Sequence, residues 1–178
     1  MAYDEHTTIR AVRRGSRRAC NELYDRHVMS LFRFLKQYSD DEAEVEDWVQ
    51  RAFIKALTHI ESFNENSRFS TWLFTIALNE IRTDKRRHSL VFLDTNELQE
   101  VTAGEDHTID FEWRDAMKFL LKDLDTTNRT IFLLYEIEGY SHAEIGSMLD
   151  ITENLSRTIL CRTKTILRSR WESMKDAV

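Results

Sequence analysis

At 178 residues the chain has room for one ordinary domain or two small ones. Its 42% hydrophobic and 31% charged residues make a globular composition, and with no proline and only four glycines it is too poor in turns for a many-stranded sandwich, so an all-α fold is expected. A net charge of −6, from 31 acidic and 25 basic side chains, taken whole opposes a partner as anionic as DNA. No apolar run is long enough for a membrane span, and the N-terminus lacks the apolar middle of a signal peptide, which predicts a cytoplasmic chain with no membrane insertion. Cys20 and Cys161 lie far apart, each without a second ligand at metal spacing, so neither a disulfide nor a zinc site is expected and the thiols read as buried or idle.

In chain order, Tyr24, His27, Val28, Leu31, Leu35 and Tyr38 recur at steps of three and four and predict a first helix over Cys20 to Tyr38. Ser39 with Glu42 reads as a capping box opening a second helix, in which Val45, Trp48, Val49, Ala52, Phe53, Ala56 and Leu57 keep the rhythm. Polar Glu61 to Ser67 breaks it, and Phe69, Trp72, Leu73, Ile76, Ala77 and Ile81 restart it in a third helix ending in Arg82, Lys85, Arg86 and Arg87. Between Ser89 and Asp110 no period survives, and the 22 residues hold six carboxylates and no Lys or Arg. Such a stretch is unusual inside one compact domain. It reads as an acidic flexible linker, residues 89–110, joining two small helical domains at 1–88 and 111–178, a three- or four-helix bundle and a helix-turn-helix.

Beyond it, Phe111 to Leu124 and Thr127 to Glu138 are expected helices, the second stopping at a left-handed Gly139. Ser141 and Glu144 form another capping box before a short helix through Ile145, Met148 and Leu149. Asp150 and Ile151 make a tight turn, and Thr152 caps a long last helix with Ser156, Leu160, Thr163, Leu167 and Trp171 on one face. Helix, short turn, helix is the helix-turn-helix pattern, with Gly146 letting the two helices approach closely.

The remaining faces carry the chemistry. On the third helix Thr75, Asn79, Arg82 and Arg86 share one face with Lys85 and Arg87 beside them, a set that supplies base-edge hydrogen bonds and phosphate contacts together, although a basic helix end also complements the helix dipole. On the last helix the exposed positions near the start are Asn154, Arg157, Thr158, Cys161 and Arg162, where a recognition helix meets base edges. Glu46, Asp47 and Gln50 form a compact acidic face on the second helix that suits a basic protein partner and equally a plainly solvated surface. The loop from Glu61 to Ser70, rich in Asn and Ser and containing Phe63, Asn64 and Phe69, reads on its own as a polar loop first, and it also suits an extruded base held by stacking and hydrogen bonds. With no glycine-rich phosphate loop, HExxH or GxSxG pattern, neither an enzyme nor a cofactor is expected. Residues 1–88 hold 15 basic and 14 acidic side chains, 89–110 none and six, and 111–178 ten and 11. The linker therefore carries the net charge, and DNA is directed to Arg82 to Arg87 and the last helix.

Three stretches, EVEDWVQRAFIKAL (Glu44 to Leu57), RFSTWLFTIALNEIRTDKRR (Arg68 to Arg87) and EIEGYSHAEIGSMLDITENLSRTILCR (Glu136 to Arg162), together resemble the bacterial extracytoplasmic-function (ECF, group 4) RNA polymerase sigma factors of the sigma-70 family. The resemblance implies a region 2 at 1–88 that docks on the β′ clamp helices of core RNA polymerase and reads and melts the -10 element. It implies a region 4 at 111–178 that sits on the β flap and reads the -35 element. The family's docking segment, DAEDLVQEVF, matches at Glu46, Asp47, Val49, Gln50 and Phe53, which assigns Glu46, Asp47 and Gln50 to polymerase contact. Its IAxN pattern, at Ile76 to Asn79, places Asn79 over the -10 duplex, and the loop with Phe63 and Asn64 falls where the family captures a flipped base. Arg157, Thr158, Cys161 and Arg162 fall on the -35 reading positions beside Asn154. The implied partners are core polymerase, promoter DNA and an anti-sigma protein.

The chain also departs from the family's pattern. Arg51 stands where Glu is frequent, and Thr83 where an Asp is usual, with Asp84 one place late. Leu155 and Ile159 replace a Thr and an Arg, and Cys161 a larger residue, which predicts an unusual -35 contact and leaves apolar surface for a protein to cover. Asp125 and Thr126 occupy customary proline positions, where a different turn is expected. Two other readings compete: a stand-alone helix-turn-helix regulator and a helical adaptor that binds only protein. The first has no need of an acidic face coupled to Asn79, Arg82 and Arg86, and the second has no use for the basic last helix.

Overall fold

A computed structural model of the chain describes residues 3–92, 120–121 and 124–175, and no strand occurs among them. The chain divides into two compact units, Met1–Ala103 and Gly104–Val178. The first contains α1 (Glu5–Arg13), α2 (Arg17–Leu35), α3 (Glu42–Thr58), a 3-10 turn (Ile60–Ser62) and α4 (Phe69–Phe92). Helix α3 packs between α2 and α4, and α1 packs on α2.

Helix α1 is absent from the sequence reading. Ile9 and Val12 alone mark its apolar face among charged neighbours, too little for a period, yet both are buried with Thr8. Helix α2 begins at Arg17 rather than Cys20, because Ser16 caps it by accepting from the Ala19 amide at 3.3 Å, and it ends at Leu35. Of the expected stripe Leu31, Leu35 and Tyr38 are buried and His27 and Val28 half-buried, while Tyr24 is 42% exposed and Ala19, Leu23 and Phe34 join the core. The expected Ser39–Glu42 capping box does not form. Asp41 caps α3 instead, its carboxylate accepting from the Ala43 and Glu44 amides at 2.9 and 3.4 Å, while Ser39 accepts from the Asp41 amide. An ionised acceptor at the positive end of a helix outcompetes a hydroxyl.

Of the predicted core positions on α3 only Leu57 is not fully buried, and α4 buries Phe69, Leu73, Phe74, Ala77, Leu78 and Ile81. Phe34 meets Phe74 with ring centroids 4.9 Å apart, a contact whose truncation to Ala costs about 3–5 kcal/mol. Helix α4 continues to Phe92, four residues into the stretch expected as linker. The rest of that stretch, and most of the predicted helix from Phe111 to Leu124, lie outside the described residues.

The second unit contains α5 (Thr126–Phe132), a π turn (Leu133–Ile137), α6 (His142–Leu149) and α7 (Glu153–Lys175). Asp125 at the proline position caps α5, accepting from the Thr127 and Asn128 amides at 3.0 Å each, so a side-chain cap opens this helix without proline. The predicted Thr127 to Glu138 helix is α-helical only to Phe132; the π turn then leads into Gly139 at φ +73°, and the Tyr140 amide donates to the Leu134 carbonyl at 2.9 Å. The Ser141–Glu144 capping box forms as the sequence predicts. Asp150 is left-handed (φ 56°, ψ 48°), and the Ile151 amide closes the turn on the Gly146 carbonyl at 3.0 Å. A Cβ on Gly146 would stand 2.7 Å from the Ile151 carbonyl oxygen, so the helix-turn-helix closes only with glycine there. Thr152 accepts from the Leu155 amide at 3.2 Å. Ser156, Leu160, Thr163 and Leu167 are buried, while Trp171, expected on the same face, is 37% exposed. Both cysteines are free, Cys20 half-buried and Cys161 exposed, and among the described residues no group of His, Cys, Asp or Glu is arranged to hold a metal.

Candidate nucleic-acid interface

Glu46, Asp47 and Gln50 are all exposed on α3, opposite buried Val45, Trp48 and Val49. Asp47 is paired within its own helix to Arg51 at 2.8 Å. Arg51 reaches on to α4, donating to both carboxylate oxygens of Asp84, one at 3.1 Å, while the Trp48 indole donates to Asp84 at 2.7 Å. Glu80, its side chain only 5% exposed, pairs with Lys55 and lies 3.8 Å from Arg51. The two departures noted above, Arg51 and the displaced Asp84, are therefore partners of each other. The Asp84 hydrogen bond leads in raising the Arg51 pKa above its ordinary value, burial opposes, and the charges of Asp84, Asp47 and Glu80 add to the rise.

On α4 the structure brings Asn79 and Arg82 together on an exposed face, with Arg82 donating to the Asn79 side-chain oxygen at 3.5 Å. Thr75 is half-buried and spends its hydroxyl proton on the Thr71 carbonyl at 2.8 Å. The side chains of Lys85 and Arg86 lie outside the described residues. Beside Asn79 a recess of about 290 Å³ is walled by Lys55, His59, Ser62, Trp72 and Ile76, with Glu80 at its edge. It offers a partly exposed indole and several polar edges. Sequence reasoning passes over this recess because its walls come from three separate elements.

In the loop before α4, Phe63, expected as a stacking surface for a base, is instead 4% exposed. Its ring meets Phe69 edge-on at 5.9 Å and Trp72 at 5.2 Å, so it anchors the loop in the core. Asn64 is exposed; its side chain accepts from the Asn66 amide at 3.0 Å and its carbonyl from the Ser67 amide at 3.1 Å, an Asx turn that presents Asn64, Asn66 and Ser67 outward. Helix α1 supplies partners invisible in the sequence. Arg13 donates to the Ile60 carbonyl at 3.3 Å, to the Phe63 carbonyl at 2.8 Å and to Glu65 at 2.5 Å, and Glu5 accepts from the Phe69 amide at 3.0 Å.

On α7 the residues Asn154, Arg157, Thr158, Cys161 and Arg162 are all exposed and face away from buried Ser156, Leu160 and Thr163. Arg157 pairs with Glu153 one turn back, and Thr158 donates to the Asn154 carbonyl at 2.9 Å. Leu155 is 45% exposed beside them, and Ile159 half-buried. Behind this face His142 meets Ser156 at 2.9 Å and stacks on Tyr135, rings 4.4 Å apart, which fixes the first turn of α7 against α6.

Residues 23–91 match the family model for Sigma-70 region 2, and residues 114–167 that for Sigma-70 region 4. Over 175 residues the chain is 29% identical to the ECF RNA polymerase sigma factor SigW of Bacillus subtilis (strain 168), covering 91% of this chain and 94% of that one. The chain is an ECF sigma factor of the sigma-70 family. Two solved structures share its fold. One is CnrH in complex with the cytosolic domain of CnrY, at a TM-score of 0.74 and 22% identity, covering 95% of this chain and 97% of that one. The other is the sigma factor RpoE in complex with the anti-sigma factor NepR from Bartonella quintana, at 0.71 and 20%, covering 85% and 96%. The sigma region 2 match spans the last two-thirds of α2, α3, the loop and nearly all of α4, and the region 4 match spans α5, α6 and the first two-thirds of α7. No helix among the described residues is long and apolar enough to cross a membrane.

Proposed function

We propose that this sigma factor binds core RNA polymerase in the cytoplasm and directs promoter-specific initiation, supplying sequence specificity while catalysing nothing itself. Regions 2 and 4 in one chain, each with an exposed polar helix face, carry the reading. Residues 1–88 dock through Glu46, Asp47 and Gln50 onto the β′ clamp helices, residues 89–110 link, and residues 111–178 sit on the β flap. The -10 element meets Thr75, Asn79, Arg82, Lys85 and Arg86, with Asn64 at the loop and Phe63 holding that loop from beneath. The -35 element meets Asn154, Arg157, Thr158, Cys161 and Arg162.

The chemistry follows from the side chains. Cations fix the register on phosphate, and Asn or Arg at base edges carries the sequence discrimination. Melting is favoured when an extruded base is held outside the duplex by stacking and edge contacts, which offset its unstacking cost of a few kcal/mol. Arg157 is held by an exposed ion pair worth under about 1 kcal/mol, so it transfers to DNA at little cost. Because RpoE of Bartonella quintana, which shares this fold, is bound by an anti-sigma factor, we assign this chain an anti-sigma partner as well, covering exposed apolar side chains such as Leu155 and Ile137.

Purified chain added to core polymerase on a genomic fragment library tests this directly. Initiation at discrete promoters is expected, and failure to bind core together with transcription no more specific than core alone sinks the reading. Within it, Asp47→Lys is expected to weaken core binding about tenfold or more while the fold persists, since Arg51 keeps Asp84. Unchanged affinity removes this face from the interface.

A further inference from the structure

We propose that α1 sets the base selectivity of the loop between α3 and α4, with Arg13 as its positioning residue. The inference rests on the reading that this loop receives an extruded base. Arg13 is mostly covered, its side chain 23% exposed, and its planar guanidinium engages the Ile60 carbonyl, the Phe63 carbonyl and the Glu65 carboxylate at once. These three points bracket the exposed Asn64 on both sides. The Phe63 carbonyl lies at the C-cap of the short 3-10 turn, where helical partners run out, the Ile60 carbonyl at the turn's start also accepts the Phe63 amide at 3.2 Å, and a rigid fork of donors reaches both.

A second tie closes the other end of the loop. Glu5, two turns earlier on α1, accepts from the Phe69 amide at the start of α4 at 3.0 Å. One helix thus fixes both ends of a segment whose outward edge is Asn64, Asn66 and Ser67. These contacts come from residues 5 and 13, ahead of the segment that matches region 2 at 23–91. Hydrogen-bond discrimination between bases needs polar groups held within about 0.5 Å of their working positions. A loop released from α1 would still offer its exposed Asn and Ser groups to a base but would adapt that polar edge to any of the four.

The test uses the full chain bound to core polymerase and a single-stranded DNA library randomised over the -10 region, with enrichment of each base read by sequencing. In Arg13→Lys the charge stays and the fork is lost. The ratio of best to worst base at the most selective position is expected to fall about tenfold, the loss of roughly one charge-assisted hydrogen bond. Core binding and total DNA retained are expected to hold, which a general loss of structure would not allow. Glu65→Gln, which keeps shape and removes the ionised partner, is expected to lower the ratio about threefold and carries the test if Arg13→Lys fails to fold. Selectivity equal to wild type in a folded variant overturns the role of α1. A wild-type complex that selects no base anywhere overturns the capture reading itself, and this inference with it.

Discussion

The two helices proposed to meet DNA, α4 and α7, are held in place by different means. Helix α4 is braced by charge: Asp84 takes Arg51 and Trp48 from α3, Glu80 takes Lys55, and the loop before it is tied to α1 through Arg13 and Glu5. Helix α7 is braced at its start by steric closeness and small neutral groups, with Gly146 against the Ile151 carbonyl and Ser156 against His142. Its charged ties, Lys164 to Glu136 at 2.5 Å and Arg170 to the Leu120 carbonyl at 2.9 Å, lie further along. A charged brace is adjustable, weakening with salt or substitution in steps, whereas a close backbone approach is either made or lost. The exposed face of α4 in the first unit is therefore expected to tune gradually, and the helix-turn-helix of the second to fail outright.

The sharpest way to break this contrast is Gly146→Val. With its Cβ forced toward a backbone oxygen, the second unit is expected to lose about 3 kcal/mol and -35-dependent initiation with it, measured by thermal melting and promoter binding. Arg51→Ala is expected to cost about 2 kcal/mol, as a partly exposed charge-assisted contact does, and to leave the helices folded. The double variant with Asp84→Ala is expected to lose less than the sum of the singles in denaturant titrations; strict additivity would dissolve the claim that the two departures compensate. Ser156→Ala leaves the His142 ring nitrogen without its partner and is expected to cost about 1 kcal/mol, the smallest substitution effect of the three.

Acidification gives a gentler test. Burial lowers the pKa of His27 below its ordinary value, Glu5 opposing and Arg26 reinforcing, and burial likewise leads at His142, where Arg157 and Lys164 lower further and Glu153 opposes. Each imidazole is harder to protonate in the fold than in the unfolded chain. Their stabilisation is thus complete above the unfolded value of about 6.5 and declines as pH falls through it toward the folded values. Urea midpoints near pH 7.5 and 5.5 are expected to fall on acidification, and less so in His27→Gln. A midpoint that rises at the lower pH would reverse the sign assigned to both groups.

Much of this molecule was legible from local pattern. The rhythm of Val45 to Ala56 and of Phe69 to Ile81 specified α3 and α4, because burying a stripe every three or four residues is a property of the helix itself. The Ser141–Glu144 box, the glycine at 146 and the Thr152 cap were equally readable, since each satisfies backbone groups within one turn. So were the exposed faces at Asn79 and Arg157, which are simply what the apolar stripes leave outside. Where two local signals competed, local reading failed: Ser39 lost the cap to Asp41, and α1, with only Ile9 and Val12 as buried apolar residues, became a helix only against α2.

By itself, then, the sequence determined an all-α chain, its family, and which polar helix faces remain exposed. Only the tertiary structure decided who neutralises whom. Arg51 meets Asp84 across 33 residues and Arg13 meets Glu65 across 52, and no periodicity encodes a partner at that distance. It also withdrew Phe63 from the surface and assembled the recess beside Asn79 from three elements. The physical reason is common to all of these. A helix's buried face is a local property of spacing, whereas the partner of a charge or an aromatic ring is set by which faces the packed helices bring together.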